Sequence, residues 1–330
     1  MTAPREPASP RDPHASIPVC VLGLGLIGGS LLRALADAGR PCFGWNRSAA
    51  TVAAATAAGY EADADLAAVL ARASEADALI VLATPTTVVD DILDAVAQHA
   101  PRCALTDVVS VKDAVAAAVD RHGLSARYVG GHPMAGTSES GWDATDPALF
   151  VDAPWVVCCD DHSDPATWSA VADVAVTVGA RVVPVATADH DLLVAAISHV
   201  PHLTAAVTAA IGAGPGDLAL RLAAGSFRDG TRVAGTAVDL QRAMIEANRP
   251  AVVTLLSEAI DRLVAARDDL RDSGSVATTV DDGHRARRRW EDMRAAGPQP
   301  IVDVTVGAPG WAAELRRQAH LGRVWTGAPA

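Results

Sequence analysis

Short apolar runs and amphipathic stretches take turns along the first half of the chain. Ile17-Pro18-Val19-Cys20-Val21-Leu22 is apolar, rich in β-branched residues and closed by Gly23, which is the pattern of a buried strand. Ile27, Leu31, Leu32 and Leu35 then recur at helical spacing, with Gly39 as a stop. The alternation repeats as a strand at 41–45, a helix over 48–58 with Ser48 near its N-cap, a strand at 78–83 and a helix over 87–98. It continues as a strand at 103–106, a helix over 111–121 and a strand at 128–130. After a polar loop come a strand at 155–159, a helix over 165–177 and a strand at 181–185. Strands separated by helices of this length imply βαβ units and a mostly parallel sheet.

The pattern changes near Ala188, and from there to about Leu270 it contains no strand. Residues 189–211 are apolar on nearly all sides, which predicts a helix buried in a domain core or a dimer. The division expected is a flexible tail at 1–16, a dinucleotide-binding domain at 17–187 and a helical substrate and dimerisation domain at 188–330. The 330 residues fit two domains at about 150 residues each. The net charge of −12 argues against nucleic-acid and anionic-membrane partners, so an anionic ligand needs local cations. The tail lacks the apolar core of a secretory signal, and no uninterrupted apolar stretch demands a bilayer. Five cysteines without a C-x-x-C pair suit a reducing cytoplasm better than a disulfide framework. The cluster Arg285, Arg287, Arg288 and Arg289 reads as a solvated helix face.

Gly23-Leu24-Gly25-Leu26-Ile27-Gly28 is a G-x-G-x-x-G between a predicted strand and a predicted helix, the context in which that spacing binds a dinucleotide. Gly23 permits the tight turn, Gly25 lets backbone approach a pyrophosphate, and Gly28 lets the helix pack on the sheet. Leu26 and Ile27 lie at the helix N-terminus, whose free N–H groups face the phosphates. The next strand ends in Asn46-Arg47-Ser48 rather than in a carboxylate. Asn46 does not repel a 2′-phosphate, and Arg47 and Ser48 can bind one. Both NAD and NADP therefore stay open as cofactor. Thr84 and Pro85 end the third strand beside the same cleft.

Four further segments set polar groups in apolar surroundings: Thr106–Lys112, Gly130–Gly136, His190–His202 and Phe227–Arg232. With the glycine fingerprint, the G-G-H-P-x-A-G and S-H-x-P-H segments make the chain resemble the prephenate/arogenate dehydrogenase family of tyrosine biosynthesis from about Val19 to Arg249. The resemblance implies an α/β Rossmann-like N-terminal domain, an all-α dimerisation domain and a cytoplasmic homodimer. The implied reaction oxidises and decarboxylates prephenate to 4-hydroxyphenylpyruvate, with hydride passing to NAD or NADP. On the same basis His132 is the base, with Ser110 and His202 as further catalytic groups. A plain helix N-cap is the other reading of Ser110. Arg232 is implied as the main carboxylate ligand, supported by Arg228, with His190 and Ser198 also in the substrate pocket. A surface ion pair with Asp229 or Asp239 is the other reading of the two arginines. His199 reads as a core or interface histidine. Val109 and Gly230 depart from the residues usual in relatives. Lys112 is the one lysine in the chain. Pro201 should kink the long helix. No metal site is expected, because no carboxylate pattern accompanies the histidines. Arogenate dehydrogenase is the nearest alternative. A β-hydroxyacid dehydrogenase would need a lysine in the long helix, which this chain lacks, and a non-catalytic dinucleotide sensor would not need the histidine and arginine set. A C-terminal ACT domain is not expected.

Overall fold

The computed structural model describes residues 17–137 and 139–327, so the expected tail at 1–16 lies outside the described residues. Six strands form one parallel sheet: β1 (Val19–Leu22), β2 (Cys42–Trp45), β3 (Ala62–Asp63), β4 (Leu79–Leu82), β5 (Leu105–Asp107) and β6 (Tyr128–Val129). Their order is β3-β2-β1-β4-β5-β6, that of a doubly wound dinucleotide-binding sheet, with the reversal of direction between β1 and β4. The helices between them are α1 (Leu26–Asp37), α2 (Ala49–Ala57), α3 (Leu66–Ala76), α4 (Val89–His99) and α5 (Asp113–Arg121). Because helices cover both faces, β1 and β4 are apolar throughout. Val19, Val21, Leu79 and Val81 join one core, while Cys20, Leu22, Ile80 and Leu82 join the other.

Three elements depart from the sequence pattern. The strand expected at 128–130 is split: β6 ends at Val129, and β7 (Gly131–Pro133) enters a second sheet with β8 (Pro154–Cys158) and β9 (Arg181–Val185). β7 runs antiparallel to β8, with His132 opposite Val156. The crossing demands glycine, since a Cβ on Gly131 would lie 2.6 Å from the Asp107 carbonyl oxygen. Helix α3 was not legible in its alanine-rich stretch, although Asp65 caps it by accepting from the Ala68 N–H at 3.1 Å. The segment expected within the helical domain beyond 296 instead returns to the first domain and joins the core that contains α6 (Pro165–Thr177).

The helical part begins with α7 (Thr187–Val194), a π-helical turn at Ala195–His199 and α8 (Val200–Ala213). It continues through α9 (Asp217–Arg221), α10 (Gly225–Thr231), a 3₁₀ turn at Arg232–Gly235, α11 (Val238–Ala247), α12 (Arg249–Ser273) and α13 (Ala277–Ala296). The continuous helix Thr187–Ala213 holds an 18-residue window of mean hydropathy 1.5 and is long and apolar enough to cross a membrane by length and composition alone. It nevertheless carries a buried histidine and aspartate whose partners lie on other elements. The return segment comprises β10 (Gln299–Pro300), α14 (Trp311–His320) and β11 (Arg323–Val324). Trp325 bridges to Val182 of β9, and Trp168 of α6 packs edge-on against both Trp311 and Trp325. The apolar spacing of Trp311, Leu315 and Trp325 thus serves the first domain's core.

Candidate active site

Adjacent strands β1, β4 and β5 bring three loops to one carboxyl edge of the sheet. The first is the glycine loop. Gly23 has φ +107°, and a Cβ there would lie 2.6 Å from the Ala83 carbonyl oxygen. A Cβ on Gly28 would lie 1.9 Å from the Gly23 carbonyl oxygen, while one on Gly25 would meet nothing within 4 Å. Two glycines thus close the turn and the third opens it, leaving the α1 N-terminus accessible with Leu26 and Ile27 half-buried. On β4's exit, Thr84 is buried and its Oγ1 has no hydrogen-bond partner, while Pro85 is exposed. An open cradle beside an orphaned hydroxyl fits a dinucleotide: Gly23–Gly28 would hold the pyrophosphate, and Thr84 the nicotinamide half. Arg33 adds a side wall that the sequence did not reveal, donating from Nη1 to the Thr145 carbonyl and hydroxyl at 2.7 Å each.

At the end of β2, Asn46 Oδ1 accepts from the Ser48 N–H at 2.9 Å, and Ser48 Oγ accepts from the Thr51 N–H at 3.3 Å. Ser48 is therefore the N-cap of α2, as its position suggested. Arg47 is exposed and has no ion-pair partner among the described residues. No carboxylate occupies the position of Asn46.

The third loop, after β5, carries Ser110. Helix α5 begins at Asp113, and Ser110 does not cap it. The cap comes from α7: Asp191 accepts from the Lys112 N–H at 2.7 Å and from the Asp113 N–H at 3.1 Å. Lys112 is wholly buried, pairs with Asp107 and donates to the Gly131 carbonyl at 2.7 Å. Tyr128 donates to the other oxygen of Asp107 at 2.6 Å. The single lysine therefore pins the peptide bond preceding His132.

His132 is buried, and its Nδ1 lies 2.9 Å from Nε2 of His190. Nδ1 of His190 lies 2.7 Å from Asp191 Oδ1. Both ring nitrogens of His190 are thus engaged within the protein. His190 stands as an immediate hydrogen-bond partner of His132. Burial, with the charge of Lys112 next, holds the His132 imidazole well below its ordinary pKa. Asn248 donates to the Asp191 carbonyl at 2.7 Å and lies 3.1 Å from Nδ1 of His199, whose Nε2 is buried without a partner. The expected core reading of His199 fits that burial.

The Pro201 kink appears as the π-helical turn that carries Ser198, which is half-buried. Nδ1 of His202 lies 3.1 Å from Gln241 Nε2, which also donates to the Val233 carbonyl at 2.6 Å. Burial lowers the pKa of His202, and the charge of neighbouring Arg232 lowers it further. Arg232 is exposed, on the turn after α10. Arg228 is 78% exposed and pairs with Asp229 at 3.0 Å, the surface arrangement left open by the sequence. The structure therefore joins His132 to His190 and His202 to Arg232, while Arg228 stands at the surface. Asp191, Lys112, Asn248 and Gln241 were missed as site groups. Asp191 carried a signal, a charge on an apolar helix that must find partners. Among the described residues no group of three or more His, Cys, Asp or Glu could hold a metal.

Comparison with known proteins places this geometry. The nucleotide-binding domain of prephenate dehydrogenase matches residues 33–184, and the dimerization domain of prephenate dehydrogenase matches residues 186–275. A Bacillus subtilis prephenate dehydrogenase is 30% identical over 254 residues, covering 73% of this chain and 67% of that protein. A Corynebacterium glutamicum crystal structure assigned as a prephenate dehydrogenase is 45% identical at TM-score 0.90, covering 94% of this chain and 99% of that one. The Synechocystis arogenate dehydrogenase structure is 31% identical at TM-score 0.73, covering 83% of this chain and all of that one (100%). With its sheet, its glycine cradle and both matched domains, the chain belongs to the prephenate dehydrogenase family.

Proposed function

We propose that this protein is an NAD(P)-dependent prephenate dehydrogenase that works as a homodimer in the cytoplasm. The observation that carries this reading is the sheet order. It sets the glycine cradle, Thr84 and the loop carrying Ser110 at the carboxyl ends of the adjacent strands β1, β4 and β5, and β7, which carries His132, passes close to the end of β5 at Gly131. The reaction passes a hydride from C4 to the cofactor and releases the ring carboxylate as CO2, whose bonding electrons complete the aromatic ring; the 4-hydroxyl proton leaves to a base as the C4 carbonyl forms and returns to the phenolate oxygen, so none is lost overall. Bound NAD(P)⁺ supplies the hydride acceptor. His132 takes the hydroxyl proton, and its depressed pKa keeps it neutral and ready at neutral pH. Ser110, on the loop capped by Asp191, orients the same hydroxyl. Arg232, set beside His202 of the long helix, grips a substrate carboxylate and supplies the local positive charge that an acidic protein needs, with Ser198 one helical turn before His202 as a further substrate contact. Arg228 supports it by exchanging Asp229 for substrate.

The dimer reading rests on the matched dimerization domain and on apolar side chains left in solvent. Ile197, Ile211, Leu218 and Leu222 are 67%, 70%, 70% and 76% exposed in the single chain. Arogenate is the second reading, favoured by the likeness to the Synechocystis enzyme. The test is a two-by-two assay of prephenate or arogenate against NAD or NADP. The proposal requires turnover of prephenate with at least one cofactor, and activity on arogenate alone overturns it.

A further inference from the structure

The line of hydrogen bonds behind His132 has a direction. Burial pushes the Asp191 carboxyl up, but hydrogen bonds from His190 and from the Lys112 and Asp113 N–H groups outweigh it and leave the group below its ordinary range. Asp191 is therefore a carboxylate, which can only accept. Nδ1 of His190, 2.7 Å away, must donate to it. His190 is 1% exposed, and in the neutral ring, with its one N–H spent on Asp191, Nε2 can only accept. Nδ1 of His132, 2.9 Å from that nitrogen, must donate in turn. The lone pair of His132 is left on Nε2.

We propose that Asp191, acting through His190, is a positioning residue that fixes His132 in the tautomer whose Nε2 takes the substrate's hydroxyl proton. The inference rests on the reading of His132 as the base. On proton transfer the substrate O–H bond breaks and an Nε2–H bond forms. The resulting imidazolium keeps its Nδ1–H on His190, with the Asp191 charge behind it. The charged and titratable groups facing His132 are Lys112 before α5, His190 and Asp191 on α7, and His199 on the π turn. Of these, only Asp191 favours the imidazolium. The same carboxylate caps α5, so one residue of the helical part sets both the base and the Ser110 loop.

Nitrogen-15 NMR of the histidine rings in the cofactor-free protein reads the tautomer directly. The proposal expects a proton on Nδ1 of His132 and a bare Nε2; a proton on Nε2 overturns it. Asp191→Asn should lower kcat about 10²–10⁴-fold with KM little changed. It should also move the acid limb of the kcat/KM profile to lower pH, because the charge that favours the imidazolium is gone. An unmoved limb would reduce Asp191 to a helix cap. Should that variant not fold, His190→Gln leaves both backbone N–H bonds of Asp191 in place, and wild-type kcat there overturns the proposal. Failure of the base reading looks different: turnover would survive His132→Asn whatever the tautomer.

Discussion

Arg232 and Arg228 lie four residues apart and look alike in the sequence, yet the structure separates them. Arg232 acts on His202 electrostatically, whereas Arg228 is held by Asp229 in solvent. A charged hydrogen bond is worth about 1.5–3 kcal/mol, so Arg232→Ala should raise KM for substrate about 10–100-fold with a smaller change in kcat. Steady-state kinetics checks this, and an unchanged KM removes Arg232 from the pocket. Arg47 faces solvent beside the carboxylate-free end of β2. If it binds a 2′-phosphate, Arg47→Ala should weaken NADP use about tenfold or more and leave NAD use unchanged. Equal loss with both cofactors contradicts that contact. At this scale the sequence was legible where chemistry and spacing are distinctive, as in the glycine fingerprint and His132. It was silent on partners that topology supplies. Nothing in His190-Asp191 reveals that the carboxylate reaches α5 or that His190 spends both nitrogens on protein.

Among the elements, strands and helices with clear two- or 3.6-residue periods fell within a residue or two of expectation, and α6 and β9 matched. What failed was decided by distant contacts. β7 leaves the main sheet because Gly130 and Gly131 let it cross over β5, a steric matter invisible to periodicity. The π turn before Pro201 follows from chemistry the sequence does show: proline lacks an N–H and clashes with the carbonyl four residues back, at Ile197. Helix α14 reads as a helix that could pack anywhere; only the structure sets Trp311 against Trp168. Removing a buried tryptophan ring costs about 3–5 kcal/mol. Trp311→Ala should therefore lower the denaturant midpoint by a comparable amount of stability, with the cofactor cradle unaffected. A loss below about 1 kcal/mol would mean that the return segment does not contribute to the first domain's core.

For the whole molecule, burial lowers the pKa values of His132, His199 and His202 below the unfolded value of about 6.5. A base depressed on folding binds its proton better in the unfolded chain. Its contribution to stability is complete above about pH 6.5 and is lost as pH falls toward the folded value. The melting temperature should therefore be flat from about pH 8 to 7 and decline from about 6.5 to 5.5; a flat profile through that window contradicts the buried neutral histidines. Fold class was legible because the alternation of strands and helices, and the helices that follow it, are written in the hydrophobic pattern itself. The return of 299–325 to the first domain was not, because burial in another domain's core leaves no local mark. The central claim, that His132 performs the proton abstraction of a prephenate dehydrogenase, is tested most directly by one pair of measurements. Formation of 4-hydroxyphenylpyruvate from prephenate is compared between wild type and His132→Asn, with cofactor affinity determined alongside. The account predicts a fall of about 10²–10⁴-fold in turnover at unchanged cofactor affinity. Near-normal turnover in the variant, or none in the wild type with either cofactor, would contradict it.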